Sequence, residues 1–111
     1  MPVNATIPPT TVTTNTTTGP VEAYISGVYA LDIVRTAGTA TASLEISLDN
    51  GANYVQFTDA NGTDVTVDMS GTTRHYRHEF LAQPGTRFQV VTTGASGGAS
   101  ITVQLTRIVS E

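Results

Sequence analysis

The chain has 111 residues, no cysteine, 13% charged residues and a formal net charge of −4. This length suits one compact domain, and the absence of cysteine excludes disulfides, a thiolate nucleophile and sulfur-ligated zinc. All five basic residues are arginine, and so few cations in an acidic chain argue against binding to nucleic acid or to an anionic membrane. Frequent threonine and scarce charge favour a surface that packs against other proteins.

The first 21 residues differ in composition from the rest of the chain. They carry no charged side chain, and they contain four prolines and a threonine-rich stretch at residues 10–18. Because proline disfavours helix and threonine prefers an extended backbone, residues 1–21 are predicted to form an extended arm. The arm has too little apolar surface to offset the entropy cost of ordering it alone, so we expect it to dock on another chain, outside a folded domain of residues 22–111. The residues predicted to make these inter-chain contacts are Val3, Ile7, Pro8, Pro9 and Val12.

The sequence also bears on where the chain is made. Residues 1–4 lack the basic and apolar segments that begin a secretory signal. No stretch approaches the roughly 20 apolar residues of a membrane-spanning helix. We therefore expect synthesis as a soluble protein in the cytoplasm.

From residue 22 onward, apolar and polar side chains alternate with the two-residue period of β-strands. The residues on one face of the first such segment are Ile25, Tyr29, Leu31 and Ile33, and those on one face of the second are Ala42, Leu44, Ile46 and Leu48. Each segment can therefore bury one face and expose the other. Further short strands are predicted over residues 54–58, 65–69, 74–82, 88–93 and 100–109.

Clusters of glycine, asparagine and proline separate the predicted strands. Residues 49–53 and 59–62 contain Asn-Gly pairs typical of tight turns, residues 83–85 form another turn, and residues 94–98 form a glycine-rich flexible loop. No segment has the 3.6-residue period of a helix. The predicted fold is all-β, an antiparallel β-sandwich or jelly roll of about seven to eight short strands.

Residues 73–79 contain both histidines and two of the five arginines. Neighbouring side chains of a strand point to opposite faces, so His75 and His78 cannot share a metal ion without a bulge. A metal site that pairs one histidine with distant carboxylates stays open as an alternative. Because arginine is the preferred interface cation, we expect this strand to contact a partner chain. The residues assigned to that interface are Arg74, His75, Arg77 and Glu79.

The acidic turn at residues 59–64 is the other candidate ion site. A helix-loop-helix calcium loop needs glycine at its sixth position and glutamate at its twelfth, whereas here Gly62 is fourth and Ser70 is twelfth. Tight-turn geometry explains the segment without calcium. No serine precedes a helix in the manner of a nucleophile elbow, so we expect no enzymatic activity and no cofactor. A calcium- or metal-dependent enzyme stays open as a further alternative.

The segments 38–55 and 59–63 resemble small β-sandwich structural proteins of tailed bacteriophages. Those chains commonly have a hairpin of the form G-T-x-T-x-x-L-x-x-S-x-D-G-G-x-x-W/Y, a D-x-x-G turn, and a last strand after a Gly/Ser-rich loop. Here Asn50 replaces one of the glycines and Tyr54 stands where tryptophan is frequent. The resemblance extends over residues 25–109 and implies a non-enzymatic role in the virion.

The resemblance implies either a head-decoration, or cement, protein or a component of tail or fibre, and it leaves that position open. The uncharged arm of residues 1–21 favours the decoration protein on the capsid surface. The expected partners are the major capsid protein, whose subunits the arm would bridge by strand addition, and further copies of the same chain, as a trimer or alternatively a dimer. The alternative is a tail or fibre module that binds a host receptor or glycan. That role needs exposed aromatic side chains, for which Tyr24 and Tyr54 are the candidates.

Overall fold

The computed structural model describes residues 7–23 and 25–108. These residues form seven strands and no helix, which confirms the predicted all-β antiparallel fold. The strands are β1 (Ile7–Val12), β2 (Thr16–Glu22), β3 (Gly27–Ser47), β4 (Val55–Gln56), β5 (Thr66–Met69), β6 (His75–Ala82) and β7 (Arg87–Ile108).

Two long strands, β3 and β7, organise the fold. They pair antiparallel from Val28 opposite Ile108 to Ser47 opposite Arg87, with register shifts between residues 35 and 41 of β3. The shifts divide the sheet into two parts. Half-sheet I has the order β6-β3-β7-β1, and half-sheet II has β2 on β7 and both β4 and β5 on β3.

The apolar faces of the two half-sheets pack on each other as a β-sandwich. Tyr29 and Phe80 of half-sheet I contact Phe88 of half-sheet II, with ring centroids 5.9 and 5.4 Å from the Phe88 centroid. Most residues of the two predicted apolar faces are buried, namely Tyr29, Leu31, Ile33, Ala42 and Leu44. Ile46 is half-buried, and Ile25 and Leu48, which lie just outside the ends of β3, are exposed. The alternating pattern thus identified the buried face of β3.

The middle of β3 and β7 differs from the prediction. The sequence predicts two separate strands in each region and a flexible loop at residues 94–98, whereas these residues lie inside β7 and Ser96 is opposite Thr39. Glycine breaks the alternating pattern and is depleted in ordinary strands. Here the glycines belong to irregular positions that let one continuous strand pass from one half-sheet to the other.

The predicted arm also differs from the structure, because its described part belongs to the body of the same chain. The free edge of β7 is filled by β1 in half-sheet I and by β2 in half-sheet II. Ile7 and Val12 are 3% and 5% exposed and belong to the core, so they are not available to another chain. Pro8 and Pro9 are exposed, and Val3 lies outside the described residues. The boundary at residue 21 therefore falls inside one folded unit, because the edge of β7 offers the backbone partners that the arm needs.

Candidate functional site

Charged side chains form a network on the outer face of half-sheet I. Arg77 donates from Nη1 to both carboxylate oxygens of Asp32, at 2.9 and 3.1 Å, and from Nε to Glu79 Oε2 at 3.2 Å. His75 Nε2 lies 3.4 Å from Asp32 Oδ1. His75, Arg77 and Glu79 lie on one exposed face, as the two-residue period of a strand requires, whereas the sequence does not identify Asp32 of the neighbouring strand as the partner of His75 and Arg77.

The ion pairs favour the charged form of Arg77. Its hydrogen bond to Glu79, followed by its attraction to Asp32, raises the pKa of the guanidinium above its usual value. The ion pairs of this network lie on the surface, where solvent and salt screen them, so they contribute little to the free energy of unfolding.

Arg74, the fourth residue predicted at an interface, is separate from this network. It is exposed and precedes β6, and its carbonyl oxygen accepts a hydrogen bond of 2.9 Å from the Arg35 backbone N–H. Arg74 and Arg35 line a surface depression with Thr36 and Gly71. The Arg35 guanidinium is already bonded to three backbone carbonyls there, so its role is structural.

An open cleft of about 370 Å³ lies between the turn at residues 59–62 and the second half of β6. Its apolar lining comes from aromatic and aliphatic side chains of β3, β6 and the segment after β4. Its polar lining comes from the turn and from β6. The lining residues are Val28, Phe57, Asp59, Ala60, Asn61, His78, Glu79, Phe80 and Leu81.

Asp59 shapes one wall of the cleft. Its Oδ1 accepts hydrogen bonds of 2.9 Å from the backbone N–H groups of Asn61 and Thr63, and its Oδ2 lies 3.3 Å from His78 Nε2. The Tyr76 ring stacks on His78, with an interplanar angle of 7° and a centroid distance of 6.3 Å. Burial, followed by the nearby Asp59 carboxylate, raises the pKa of the Tyr76 hydroxyl.

The geometry bears on the ion sites that the sequence left open. In the described parts of the chain, no three or more histidine or acidic side chains are grouped so that they could hold a metal ion. His75 and His78 lie on opposite faces of β6, as predicted, and each is next to a different aspartate. The Asp59–Gly62 turn closes with a hydrogen bond of 2.9 Å from the Gly62 N–H to the Asp59 carbonyl, in keeping with the tight-turn interpretation.

The cleft combines apolar contact surface with hydrogen-bonding groups whose side chains reach solvent. Asn61 and Glu79 are exposed and can form hydrogen bonds with a ligand. In the described structure, the contact that such a ligand would have to replace is the hydrogen bond from Arg77 to Glu79. Such a mixture is typical of sites for small polar ligands. The sequence analysis recognised Asp59–Gly62 only as a turn, because nothing local shows that β6 passes beside it. Tyr54, a candidate for sugar stacking, is partly exposed and lies outside the cleft lining, and Tyr24 is not among the described residues.

Comparison with known proteins identifies a family for most of the chain. The AMIN domain matches residues 30–109, from the first part of β3 through the end of β7. The chain belongs to the AMIN domain family. The match includes β6 and the cleft, and it leaves out β1 and β2.

Other comparisons found similar structures but no curated relative. No curated protein matches the chain. The Eiger TNF of S. frugiperda is 12% identical with a TM-score of 0.45, and the match covers 84% of this chain and 66% of that one. A carbohydrate-binding module of Cellvibrio mixtus lichenase 5A, in complex with cellotriose, is 14% identical with a TM-score of 0.41, and the match covers 88% and 75%. None of the described residues forms a helix long and apolar enough to cross a membrane.

Proposed function

We propose that this AMIN domain is a non-enzymatic module that binds a cell-wall glycan, with peptidoglycan as the ligand. AMIN domains bind peptidoglycan, and the cleft beside β6 has the chemistry that a glycan requires. The observation that carries the proposal is the cleft at the β6 edge, which is lined by exposed Asn61 and Glu79 together with the apolar residues Phe57 and Leu81. A tail or fibre module that binds the cell wall would be one setting for this activity.

The polar groups of the cleft suit the hydroxyl and acetamido groups of an amino sugar. The Asn61 amide offers two donors and an acceptor, and the Glu79 carboxylate accepts hydrogen bonds from hydroxyl groups. The apolar side chains contact the C–H faces of the sugar ring, as in most glycan sites. Asp59 holds the turn that carries Asn61, so its role is to position that amide.

The test is cosedimentation of the purified chain with purified peptidoglycan sacculi. Asn61→Ala removes the exposed amide and keeps Gly62, so we expect binding about three- to ten-fold weaker from the loss of one or two hydrogen bonds. Gln104→Ala is the matched control, because it removes an amide from the outer face of β7 and should leave binding unchanged. A wild-type chain that stays in solution at every sacculus concentration would refute the proposal.

A second proposal keeps the virion role, with the chain as a decoration protein on the capsid surface. The resemblance of residues 38–63 to phage β-sandwich proteins supports it, and so does the absence of charged side chains from residues 7–21. The main partners would be the major capsid protein and further copies of the chain. Because Ile7 and Val12 are buried in their own core, bridging of capsid subunits would use exposed positions such as Pro8 and Pro9.

The second proposal is tested by titrating the chain onto phage capsids that lack a decoration protein. Saturable binding with a fixed number of copies per capsid, and a higher temperature of capsid disruption, would support it. Binding to sacculi but not to capsids would reject the virion role and leave the first proposal standing.

A further inference from the structure

The strand β6 has an open backbone edge that differs from the other edges of the described chain. β1 and β2 each contain proline and a register shift, and β4 and β5 have two and four residues. Proline, bulges and short length are the features that keep an edge strand from pairing with another chain. β6 has eight residues, contains neither proline nor glycine, and pairs with β3 in regular register.

The hydrogen-bond pattern identifies which backbone groups of β6 face outward. The Arg35 N–H donates to the Arg74 carbonyl at 2.9 Å, so this opposed pair is a hydrogen-bonded one. In an antiparallel ladder, hydrogen-bonded and non-bonded pairs alternate. Residues 76, 78 and 80 therefore bond to β3, and the N–H and C=O groups of His75, Arg77, Glu79 and Leu81 point away from it. Among the described residues, none of these outward groups has a hydrogen-bond partner.

We propose that a second copy of this chain pairs its β6 antiparallel with this β6 across a two-fold axis. The axis passes between the two copies of His78, so that Arg77 lies opposite Glu79 of the other copy and Glu79 opposite Arg77. The outward backbone groups of one strand then meet those of the other. The proposal selects the dimer from the two oligomers that the sequence analysis considered.

Charge selects this register over its neighbours. Any other register must also keep the outward backbone groups of the two strands facing each other. The nearest such registers change the residue opposite each position by two. One of these registers places Arg77 opposite Arg77, and the other places Glu79 opposite Glu79. Directly opposed like charges destabilise a strand pair, whereas opposite charges stabilise it. The central register contains two such favourable pairs because the two-fold axis repeats each contact.

The side chains on both faces of β6 are compatible with this pairing. On the outer face, Leu81 is 73% exposed. In the dimer it would lie opposite His75 of the other copy, so less of its apolar surface would be in contact with water. On the inner face, Tyr76 would lie opposite Phe80. The cleft leaves open space between residues 78–81 and the turn at Ala60 and Asn61, so the edge is accessible there.

The second copy would lie along the same β6 edge that lines the cleft, so pairing and glycan binding at Glu79 would compete, and the dimer is tested on the chain alone. The test measures the mass of the full chain against concentration by analytical ultracentrifugation, without glycan or capsid. We expect a reversible monomer–dimer equilibrium for the wild type. Arg77→Glu and Glu79→Arg each replace both opposite-charge pairs with like-charge pairs, so each should weaken dimerisation at least about ten-fold.

An equimolar mixture of the two variants is the decisive sample. In a mixed dimer, the two glutamates of Arg77→Glu face the two arginines of Glu79→Arg, and dimerisation should return to near the wild-type level. Mixing does not relieve the repulsion between the like charges at positions 77 and 79 of the same strand. A return of dimerisation in the mixture therefore reports the contact between the two chains. Asp68→Arg, which makes the same charge change as Glu79→Arg but on β5, should dimerise like the wild type.

Amide hydrogen exchange gives an independent measurement. The N–H groups of Arg77 and Glu79 should exchange more slowly as concentration rises, while those of Tyr76 and His78 are protected by β3 at all concentrations. A wild-type chain that stays monomeric, forms trimers, or dimerises without recovery in the mixture would overturn the proposal. Pairing of a monomer's β6 with an extended peptide from another protein would assign the edge to a different occupant and overturn it too.

Discussion

Asp49 organises the hairpin between β3 and β4 through both of its carboxylate oxygens. Oδ1 accepts hydrogen bonds from the Ser47 hydroxyl at 2.7 Å and the Asn53 backbone N–H at 3.0 Å, and Oδ2 accepts one from the Asn53 side-chain amide at 2.8 Å. The bond from Ser47, followed by those from Asn53, lowers the pKa of Asp49 to about 2. Asn50 and Gly51 adopt the positive φ values of 63° and 87° that the Asn-Gly sequence predicts. The turn was predictable because these two residues tolerate that conformation.

At the residue scale, the lowered pKa of Asp49 predicts a dependence of stability on pH. Because folding favours the charged carboxylate, its contribution is present above the unfolded pKa of roughly 4 and is lost as pH falls towards about 2. Asp49→Asn should therefore unfold at lower urea concentration than the wild type at pH 7, and the difference should diminish between pH 4 and pH 2. Asp68→Asn is the control, since Asp68 is exposed and its carboxylate has no hydrogen-bond partner among the described residues. A constant difference across this pH range would contradict the assignment.

At the element scale, the bend of β3 depends on a close approach of two backbones. Gly38 has a φ of +61°, and a Cβ there would lie 2.5 Å from both the Ala99 nitrogen and the Ser96 oxygen. The Arg35 side chain supports the same corner by donating to the Gly38 carbonyl at 2.8 Å and the Gly71 carbonyl at 2.7 Å. The two half-sheets can pack on each other because the paired strands β3 and β7 change register at this point.

Gly38→Ala should therefore destabilise the chain by more than the cost of placing alanine in a left-handed backbone conformation. The clash with backbone atoms adds to the cost of a left-handed conformation, so we expect a loss of more than about 2 kcal/mol in the free energy of unfolding. Gly94→Ala is the matched control, with a φ of +65° and no atom within 4 Å of the added Cβ. It should lose only about 1–2 kcal/mol in the same urea titration. Equal losses for the two variants would show that the close approach does not matter.

At the scale of the whole molecule, β1 and β2 complete both half-sheets instead of extending away from them. Ile7 is 3% exposed and packs in the common core, while the adjacent Pro8 is exposed. A tether that docked only on another chain would contribute nothing to the stability of an isolated chain. The stability of the isolated chain therefore distinguishes the two arrangements.

Ile7→Ala should lower the free energy of unfolding by about 2–4 kcal/mol, the usual cost of removing a buried aliphatic side chain. Pro8→Ala, one residue along, should lower it by less than about 1 kcal/mol, because that side chain is exposed and the change acts mainly by freeing the unfolded chain. Both are measured by urea unfolding at a concentration low enough to keep the chain monomeric. An Ile7→Ala variant as stable as the wild type would contradict the placement of β1 in the core.

The sequence by itself determined the all-β class, the buried face of β3, the tight turns and the exposed face of β6. These features depend on backbone preferences and on a two-residue period, both of which are local properties of the chain. Only the tertiary structure decided that residues 7–22 belong to the body, that Gly94–Gly98 lies within a strand, and that Asp32 joins His75 and Arg77. The cleft beside β6 also belongs to this second group. Each of these depends on contacts between residues far apart in sequence, and local preferences do not specify which distant backbone or side chain will meet them.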